Sequence, residues 1–228
     1  MPHARPALPK ALLFGVYSGI VIDVKDPDAQ GRVKVSLPWA EDGDAGRYET
    51  WARLAVPMAG NNRGTWLIPV VDDEVLVAFV AGDPRCPIVI GSLWNGRDAP
   101  PQSMDGAGNN DLKVIRSRNG VTITLDDQDG AERFQVETPG GQKIVLQDGP
   151  GEVTIEDSNG NSIKLTTSNI KIAASAGVDV TAGMVKVSAG RVEIDAGMAK
   201  FSGVVECDTL IANSVVASSY TPGAGNIW

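Results

Sequence analysis

Short apolar-polar-apolar triads recur along the C-terminal half of the chain. They begin at residues 178, 185, 192 and 199, seven residues apart, and three of them are followed by Thr-Ala-Gly, Ser-Ala-Gly or Asp-Ala-Gly. The outer two side chains of a triad point to one face and the middle one to the other, which is β-strand periodicity. Because three residues cannot bury a face alone, the short fixed period indicates equal strands that stack on their neighbours.

A repeat of seven residues is long enough for one short strand and one corner. Each repeat therefore contributes a single face, and three copies of the chain around a three-fold axis are needed to fill a triangular cross-section. Each Val or Ile buried in this way contributes about 1.5–3 kcal/mol. We predict a trimeric, intertwined triangular β-helix, or needle, whose trimer core includes Val178, Val180, Val185, Val187, Val192 and Ile194.

The middle residues of the four triads alternate in charge. In order they are Asp179, Lys186, Glu193 and Lys200. In the intertwined arrangement consecutive members belong to different chains, so opposite charges become neighbours worth roughly 0.2–1 kcal/mol each. The pattern predicts an interchain charge ladder that sets the register; chance alternation over four positions is the alternative.

Period-2 alternation begins well before the triads. The spacing between apolar pairs starts near ten residues and shortens to seven, while the connections shrink from turns such as Ser158-Asn159-Gly160 to Ala-Gly. We predict a tapering β-helix spike over residues 113–217 and a tip over 218–228. Its first apolar positions are residues 121, 123 and 125, followed by the pairs 134/136, 144/146, 153/155, 163/165 and 170/172.

The N-terminal part of the chain follows a different pattern. Five strand candidates separated by turn residues lie within residues 16–97, with residues 66–68 as a short extra strand, and no segment shows a sustained helical period. Five short strands in about ninety residues favour a small closed barrel, because closure removes exposed strand edges. The predicted fold class is all-β, with a flexible arm over 1–15, the barrel over 16–97 and a linker over 98–112.

Composition narrows the possible functions. The formal net charge of the 228 residues is −8, which argues against a nucleic-acid partner. His3 is the only histidine and lies in the predicted arm, so a histidine-based catalytic group is missing. We read no signal peptide and no membrane span, and two cysteines far apart suggest no disulfide framework. We predict a structural protein that is not an enzyme and has no cofactor or metal.

Several blocks of the barrel region resemble a known family. Residues 19–39, 51–58, 73–79 and 82–96 resemble the oligonucleotide/oligosaccharide-binding (OB) barrel of contractile-tail spike proteins. This family includes the phage baseplate assembly protein V, the spike portion of the type VI valine-glycine repeat protein, and spikes of extracellular contractile injection systems. The repeats behind the barrel resemble the family's trimeric needle in type.

The resemblance implies a homotrimer at the centre of a phage tail baseplate or a related injection particle, assembled in the bacterial cytoplasm. The barrels would contact a separate hub protein beneath the inner tail tube, and the needle would make transient contact with the target cell envelope. Two family features are missing here: only about fifteen residues precede the barrel, and the His-x-His iron site of some phage spikes has no counterpart.

The final residues suggest a docking surface. The resemblance to contractile-tail spikes implies that apolar groups at the end of the rod would hold a conical tip protein of the PAAR-repeat type. An apolar plug that closes the trimer core is the alternative and is compatible with docking. The predicted tip-docking residues are Tyr220, Pro222, Ile227 and Trp228.

Two other functions are open at this point. An OB-type barrel often binds nucleic acid or sugar through aromatic platforms, for which Trp39 and Trp51 are the candidates. A receptor-binding tailspike that recognises surface glycan is the second alternative, although a rod with seven-residue repeats leaves little room for a groove.

Overall fold

The computed structural model describes residues 12–41 and 46–219, with the side chain of Glu41 left out. These residues contain strands and one short 3₁₀ turn (Val80–Gly82) and no α-helix. The predicted all-β class is confirmed. The strands are β1 (Val16–Asp23), β2 (Val33–Glu41), β3 (Arg47–Leu54), β4 (Ala59–Gly60), β5 (Arg63–Gly64), β6 (Glu74–Phe79), β7 (Pro87–Ser92), β8 (Leu112–Arg116), β9 (Thr122–Asp126), β10 (Arg133–Glu137), β11 (Lys143–Gln147), β12 (Glu152–Glu156), β13 (Ser162–Leu165) and β14 (Ile170–Ala173).

Five of these strands close into the predicted N-terminal barrel. Their order is β1-β2-β3-β7-β6, and β6 pairs back to β1. All neighbours are antiparallel except β3 and β7, which pair in parallel through Arg53 and Ile88. The closed order leaves no unpaired strand edge among the five, which is the reason a chain of short strands forms a barrel.

Alternation along the strands builds the barrel core. Inward residues of each strand are buried while their neighbours on the same strand are exposed or half-buried, as period-2 patterning requires. Gly19 allows a close approach here, because a Cβ at this position would lie 3.1 Å from Leu37 Cδ2 and 3.3 Å from Val77 Cγ2. The core residues are 0–8% exposed: Val21, Val33, Val35, Leu37, Ala52, Val75, Val77, Phe79 and Val89.

Asp26 organises the connection between β1 and β2. Its carboxylate accepts hydrogen bonds from the backbone N–H groups of Asp28, Gln30 and Arg32 and from the Arg32 guanidinium, whose Nη2 lies 2.6 Å from Oδ1. The Arg32 side chain and these N–H groups hold the pKa of Asp26 well below its ordinary value. The same guanidinium lies 5.8 Å from the centre of the Trp51 ring. This network ties the loop to β3.

One predicted element of this region is wrong. We expected a short extra strand at residues 66–68, but the structure has no strand there and instead forms the small β4–β5 hairpin just before it. Trp66 packs against Gly31, where a Cβ would lie 3.0 Å from Trp66 Cζ3. Trp66 therefore contacts a loop without pairing as a strand, and most of its side chain remains exposed.

Strands β8 to β14 form a second sheet. Each strand pairs antiparallel with the next one in the chain, so the order is β14-β13-β12-β11-β10-β9-β8. The apolar pairs of the sequence pattern all lie on these strands. Neighbouring strands of residues 112–173 therefore belong to the same chain, whereas the seven-residue period after Val178 predicts neighbours from other chains.

The chain divides into two units, Met1–Gly177 and Val178–Trp228. In the second unit, residues 178–219 contain no strand, and every one of them is exposed. Among the described residues no triad has a partner strand in its own chain, and the prediction that other chains supply the partners is untested. The boundaries predicted for linker, spike and tip remain predictions.

Candidate trimerisation surface

One face of the seven-stranded sheet is apolar except for Lys113 on β8. Directly paired residues of an antiparallel sheet share a face, so the register from β8 to β14 defines two rows that run across all seven strands. The first row is Ile115, Ile123, Val136, Ile144, Ile155, Ile163 and Ile172, and the second is Lys113, Leu125, Phe134, Leu146, Val153, Leu165 and Ile170.

This face is uncovered in the single chain. Ten of its large apolar side chains are 36–69% exposed, whereas the barrel core is 0–8% exposed. Contiguous exposed apolar patches of this kind mark protein interaction surfaces in soluble proteins. The face therefore needs another protein surface to cover it.

The opposite face of the sheet is polar and carries cross-strand ion pairs. Lys143 and Glu156 are direct register partners with 3.5 Å between Nζ and Oε1. On the same face Lys164 lies 2.7 Å from Glu152, and Arg133 lies 3.1 Å from its register partner Asp126. Exposed pairs of this type contribute about 0–1 kcal/mol each. The sheet is thus amphipathic, with a solvent face and a face to be buried.

Hairpin loops stack on one another at both ends of the strands. At one end a Cβ on Gly141 would lie 3.1 Å from Ser158 Cβ, in the next loop but one. At the other end a Cβ on Gly149 would lie only 2.7 Å from the carbonyl oxygen of Gly130, and Gly149 has φ +80°. A side chain at Gly149 is excluded on both grounds. The stacked loops therefore form a continuous border at each end of the strands. These two borders are called the edges of the sheet below; they are distinct from its outermost strands.

Asp157 shapes the loop between β12 and β13. Its Oδ1 accepts hydrogen bonds from the backbone N–H groups of Asn159 and Asn161, and its Oδ2 accepts from Asn161 Nδ2 at 2.8 Å. The Asn161 side chain and these backbone donors lower the pKa of Asp157 to about 2. Asn161 Oδ1 in turn accepts from the backbone N–H of Ser175, 2.8 Å away, so the loop also fixes the chain after β14.

The six predicted trimer-core residues lie in the second unit. Their side chains are 61–72% exposed in the single chain, and the structure does not test whether other copies bury them. The predicted charge ladder is also untested. Glu193, one of its members, forms an ion pair with Arg191 of its own chain at 2.9 Å.

Comparison with known protein families follows these two parts of the fold. The type VI secretion system/phage-baseplate injector OB domain matches residues 17–94, which contain the barrel. The phage baseplate V C-terminal trimerisation domain matches residues 133–197, which contain β10 to β14 and the first three triads. The chain belongs to the phage baseplate V family.

Relatives of this baseplate V protein are spike proteins. It is 28% identical over 153 residues to the type VI secretion system spike protein VgrG1b of Pseudomonas aeruginosa, covering 62% of this chain and 21% of that protein. It is 37% identical over 124 residues to VgrG2a of the same organism (48% and 15%), and 26% identical over 136 residues to VgrG3 of Vibrio cholerae (58% and 13%). The chain thus spans about a fifth or less of the length of these relatives.

The family match connects the seven-stranded sheet with trimerisation. Our sequence prediction placed the trimeric spike over residues 113–217, with the period-2 pairs of residues 121–172 as its first strands, but named core residues only in the triads after Val178. The trimerisation domain begins at residue 133, so the apolar rows of β10 to β14 belong to it as well. Phe134, Ile144 and Leu146 were predicted as apolar strand positions of the spike but were not named as core residues, although their alternation was the available signal.

The aromatic residues proposed as binding platforms are occupied within the baseplate V barrel. The Trp39 ring stacks on Tyr17 with 4.5 Å between centroids, and its Nε1 donates to the carbonyl oxygen of Ser18. Trp51 is covered by the Arg32 guanidinium. Each ring thus has a partner within its own chain, which disfavours the binding-module alternative.

The remaining candidate features are the tip, a metal site and a membrane span. The predicted tip-docking residues Tyr220, Pro222, Ile227 and Trp228 lie outside the described residues. Over residues 12–41 and 46–219, no three His, Cys, Asp or Glu side chains are grouped as metal ligands. No helix among the described residues has the length and apolar character to cross a membrane.

The apolar face can be tested with two neighbouring positions. Ile144 lies on it and Val145 lies on the polar face. Replacing Ile144 with Asp would bury one unpaired carboxylate per chain in a trimer, so we expect loss of assembly by native mass spectrometry. The matched control Val145→Asp should assemble and cost about 1 kcal/mol or less. Normal assembly of I144D, or equal loss in both variants, contradicts the assignment of the faces.

The low pKa of Asp157 gives a pH prediction. Its stabilising effect is present above the ordinary aspartate pKa of 3.8 and is lost as the pH falls toward 2. We expect Asp157→Asn to melt below the wild type at pH 7, with a difference that shrinks as the pH falls from 4 to 2. Thermal melting followed by circular dichroism measures this. Asp148→Asn is the control, because the Asp148 carboxylate lies in a hairpin loop and has no hydrogen-bond or ion-pair partner among the described residues. A pH-independent difference for D157N would contradict the role of the charge.

Proposed function

We propose that this chain is the structural central spike of a contractile injection machine and acts as a homotrimer that punctures the envelope of a target cell. The single observation that carries the proposal is the uncovered apolar face of the β8–β14 sheet, whose strands β10 to β14 lie within the segment that matches a trimerisation domain. Two further copies of the chain are the surface that covers it.

Three sheets that turn their apolar faces to a common axis form a triangular prism. Each sheet would contribute two rows of Ile, Leu, Val and Phe to the interior, and each fully buried side chain is worth about 1.5–3 kcal/mol. The triads after Val178 continue the same spacing of two residues between inward positions. We infer that the needle narrows where the chain changes from its own seven-stranded sheet to triads that need other chains as neighbours.

The mechanical role follows from this construction. Most apolar burial of the spike exists only in the trimer, so a partly opened spike exposes much of its core at once. An interwoven β-structure unfolds slowly, and slow unfolding is what a device pushed through a membrane requires. The role needs no chemistry from the protein itself.

The rest of the particle is inferred from the family. The barrel matches the injector OB domain, which supports a position in the tail baseplate or injection apparatus, with a hub protein above the barrels and the inner tail tube beyond it. The named relatives are type VI spike proteins, and one, of which this chain matches 10%, is an actin cross-linking toxin of Vibrio cholerae. We assign this chain the spike role and not a toxin activity, and we place its assembly in the bacterial cytoplasm.

The spike role predicts a defect in delivery. Val185→Asp with Val187→Asp places six carboxylates at the axis of the trimer with no partner, so the needle should fail to form. Contractile particles that carry this variant, or that fail to incorporate it, should cause no potassium leakage from target cells.

The matched control is Ser188→Asp, in the connection that follows the same triad, which adds a carboxylate outside the predicted core and charge ladder and should leave leakage at the wild-type level. Full leakage from particles with the double variant would show that puncture does not need this needle.

The tip is a separate proposal. We infer that Tyr220, Pro222, Ile227 and Trp228 provide the surface for a PAAR-type tip protein, on the basis of their apolar character at the end of the repeat. Deleting residues 220–228 should leave the trimer intact and abolish co-purification of a co-expressed tip protein. The plug alternative predicts that the truncated protein aggregates or loses its trimeric mass, and retention of the tip protein would contradict docking.

A further inference from the structure

The two edges of the β8–β14 sheet carry opposite unpaired charges. The β8–β9 connection lies at one end of the strands and includes Arg118, with Arg116 as the last residue of β8. The β9–β10 connection lies at the other end and includes Asp129 and Glu132. All four side chains belong to exposed residues. Among the described residues none of the four has an ion pair or side-chain hydrogen bond.

The arginines stay unpaired although an acid is close by. Arg116 and Arg118 line a cavity of about 500 Å³ together with Glu137. The Glu137 carboxylate instead accepts a hydrogen bond from Gln135 Nε2 at 2.8 Å. Elsewhere on the sheet, charges do find partners: Lys113 lies 2.6 Å from Asp127 and Lys164 lies 2.7 Å from Glu152. Among the described residues the four edge charges therefore have no partner, whereas several other charges of the sheet do.

Cyclic symmetry brings the two edges together. When three sheets face a common axis with their strands stacked along it, the hairpin ends form the corners of the prism. A three-fold ring joins unlike surfaces head to tail, so one edge of each sheet meets the other edge of the next. The β8–β9 and β9–β10 connections share β9 and differ by one strand spacing, about 4.8 Å along the axis. Long arginine side chains at one corner thus lie near the level of Asp129 and Glu132 of the neighbouring copy.

We propose that Arg116 and Arg118 of one copy form ion pairs with Asp129 and Glu132 of the next copy, and that these corner pairs select the order and axial register of the three chains. The partner is a second copy of this chain. The inference rests on the homotrimer of the proposed function and adds which edge meets which. Opposite charge at the corners favours the head-to-tail ring over a pair of like edges, which would repel.

Directed cross-linking tests the contact. In a Cys86→Ser, Cys207→Ser background, Arg118→Cys combined with Asp129→Cys should form disulfides between chains on mild oxidation, and a covalent trimer should appear on a non-reducing gel. Arg118→Cys combined with Ser158→Cys, which places both thiols at the same end of the sheet, is the control and should remain uncross-linked. Equal cross-linking of both pairs, or none by the first pair, would overturn the proposal.

Charge reversal tests the energetics. Arg118→Glu should weaken the trimer, and the double change with Asp129→Arg should restore it. An exposed pair changes an equilibrium by a factor of about 1.4 to 5, and symmetry repeats each pair three times. We therefore expect R118E to raise the protein concentration at which half of the trimer is dissociated by roughly tenfold, measured at one fixed urea concentration. Urea is required because guanidinium is a salt and screens ion pairs.

Lys171→Glu is the matched control. Lys171 also has no ion pair among the described residues, but it lies on the polar face of β14, away from both corners. If the wild type is trimeric and R118E behaves like K171E, with no rescue by the double change, the corner pairing is wrong and the spike proposal stands. If the wild type is monomeric, the spike proposal itself fails.

Discussion

A β-sheet with one continuous apolar face is unstable in water unless that face is covered, and this constraint governs the second half of the protein. The barrel satisfies the constraint within one chain, because five strands close on themselves around Val21, Leu37 and Val77. The β8–β14 sheet cannot, because its strands pair in chain order and its first and last strands, β8 and β14, do not pair with each other. Its two rows of Ile, Leu, Val and Phe stay at the surface of the single chain.

The same constraint becomes stricter after Gly177. Up to β14 each strand still finds hydrogen-bonding partners in its own chain, so only the apolar face depends on other copies. After Val178 the triads have neither a covered face nor a paired strand within residues 178–219. Under the proposed trimer, the strands of residues 112–173 would depend on other copies only for their apolar face, and the triads would depend on them for strand pairing as well.

Much of this fold could be predicted from local pattern. Alternation at positions 144/146 or 163/165 identified strands, and turn residues such as Ser158-Asn159-Gly160 located their ends. The pattern could not distinguish a strand that pairs with its own neighbour from one that pairs with another copy, because both alternate with period 2. For that reason Phe134 and Ile144 were not named as core residues. Trp66 was misread as a strand residue because its contact, Gly31, is distant in sequence.

The mass of the native protein in solution tests the account most directly. Multi-angle light scattering of the full chain should give three times 23.9 kDa, about 72 kDa, at all concentrations at which the protein remains folded. A folded species of about 24 kDa, with the sheet and the triads intact, would show that something other than two further copies covers the apolar face and would contradict the account.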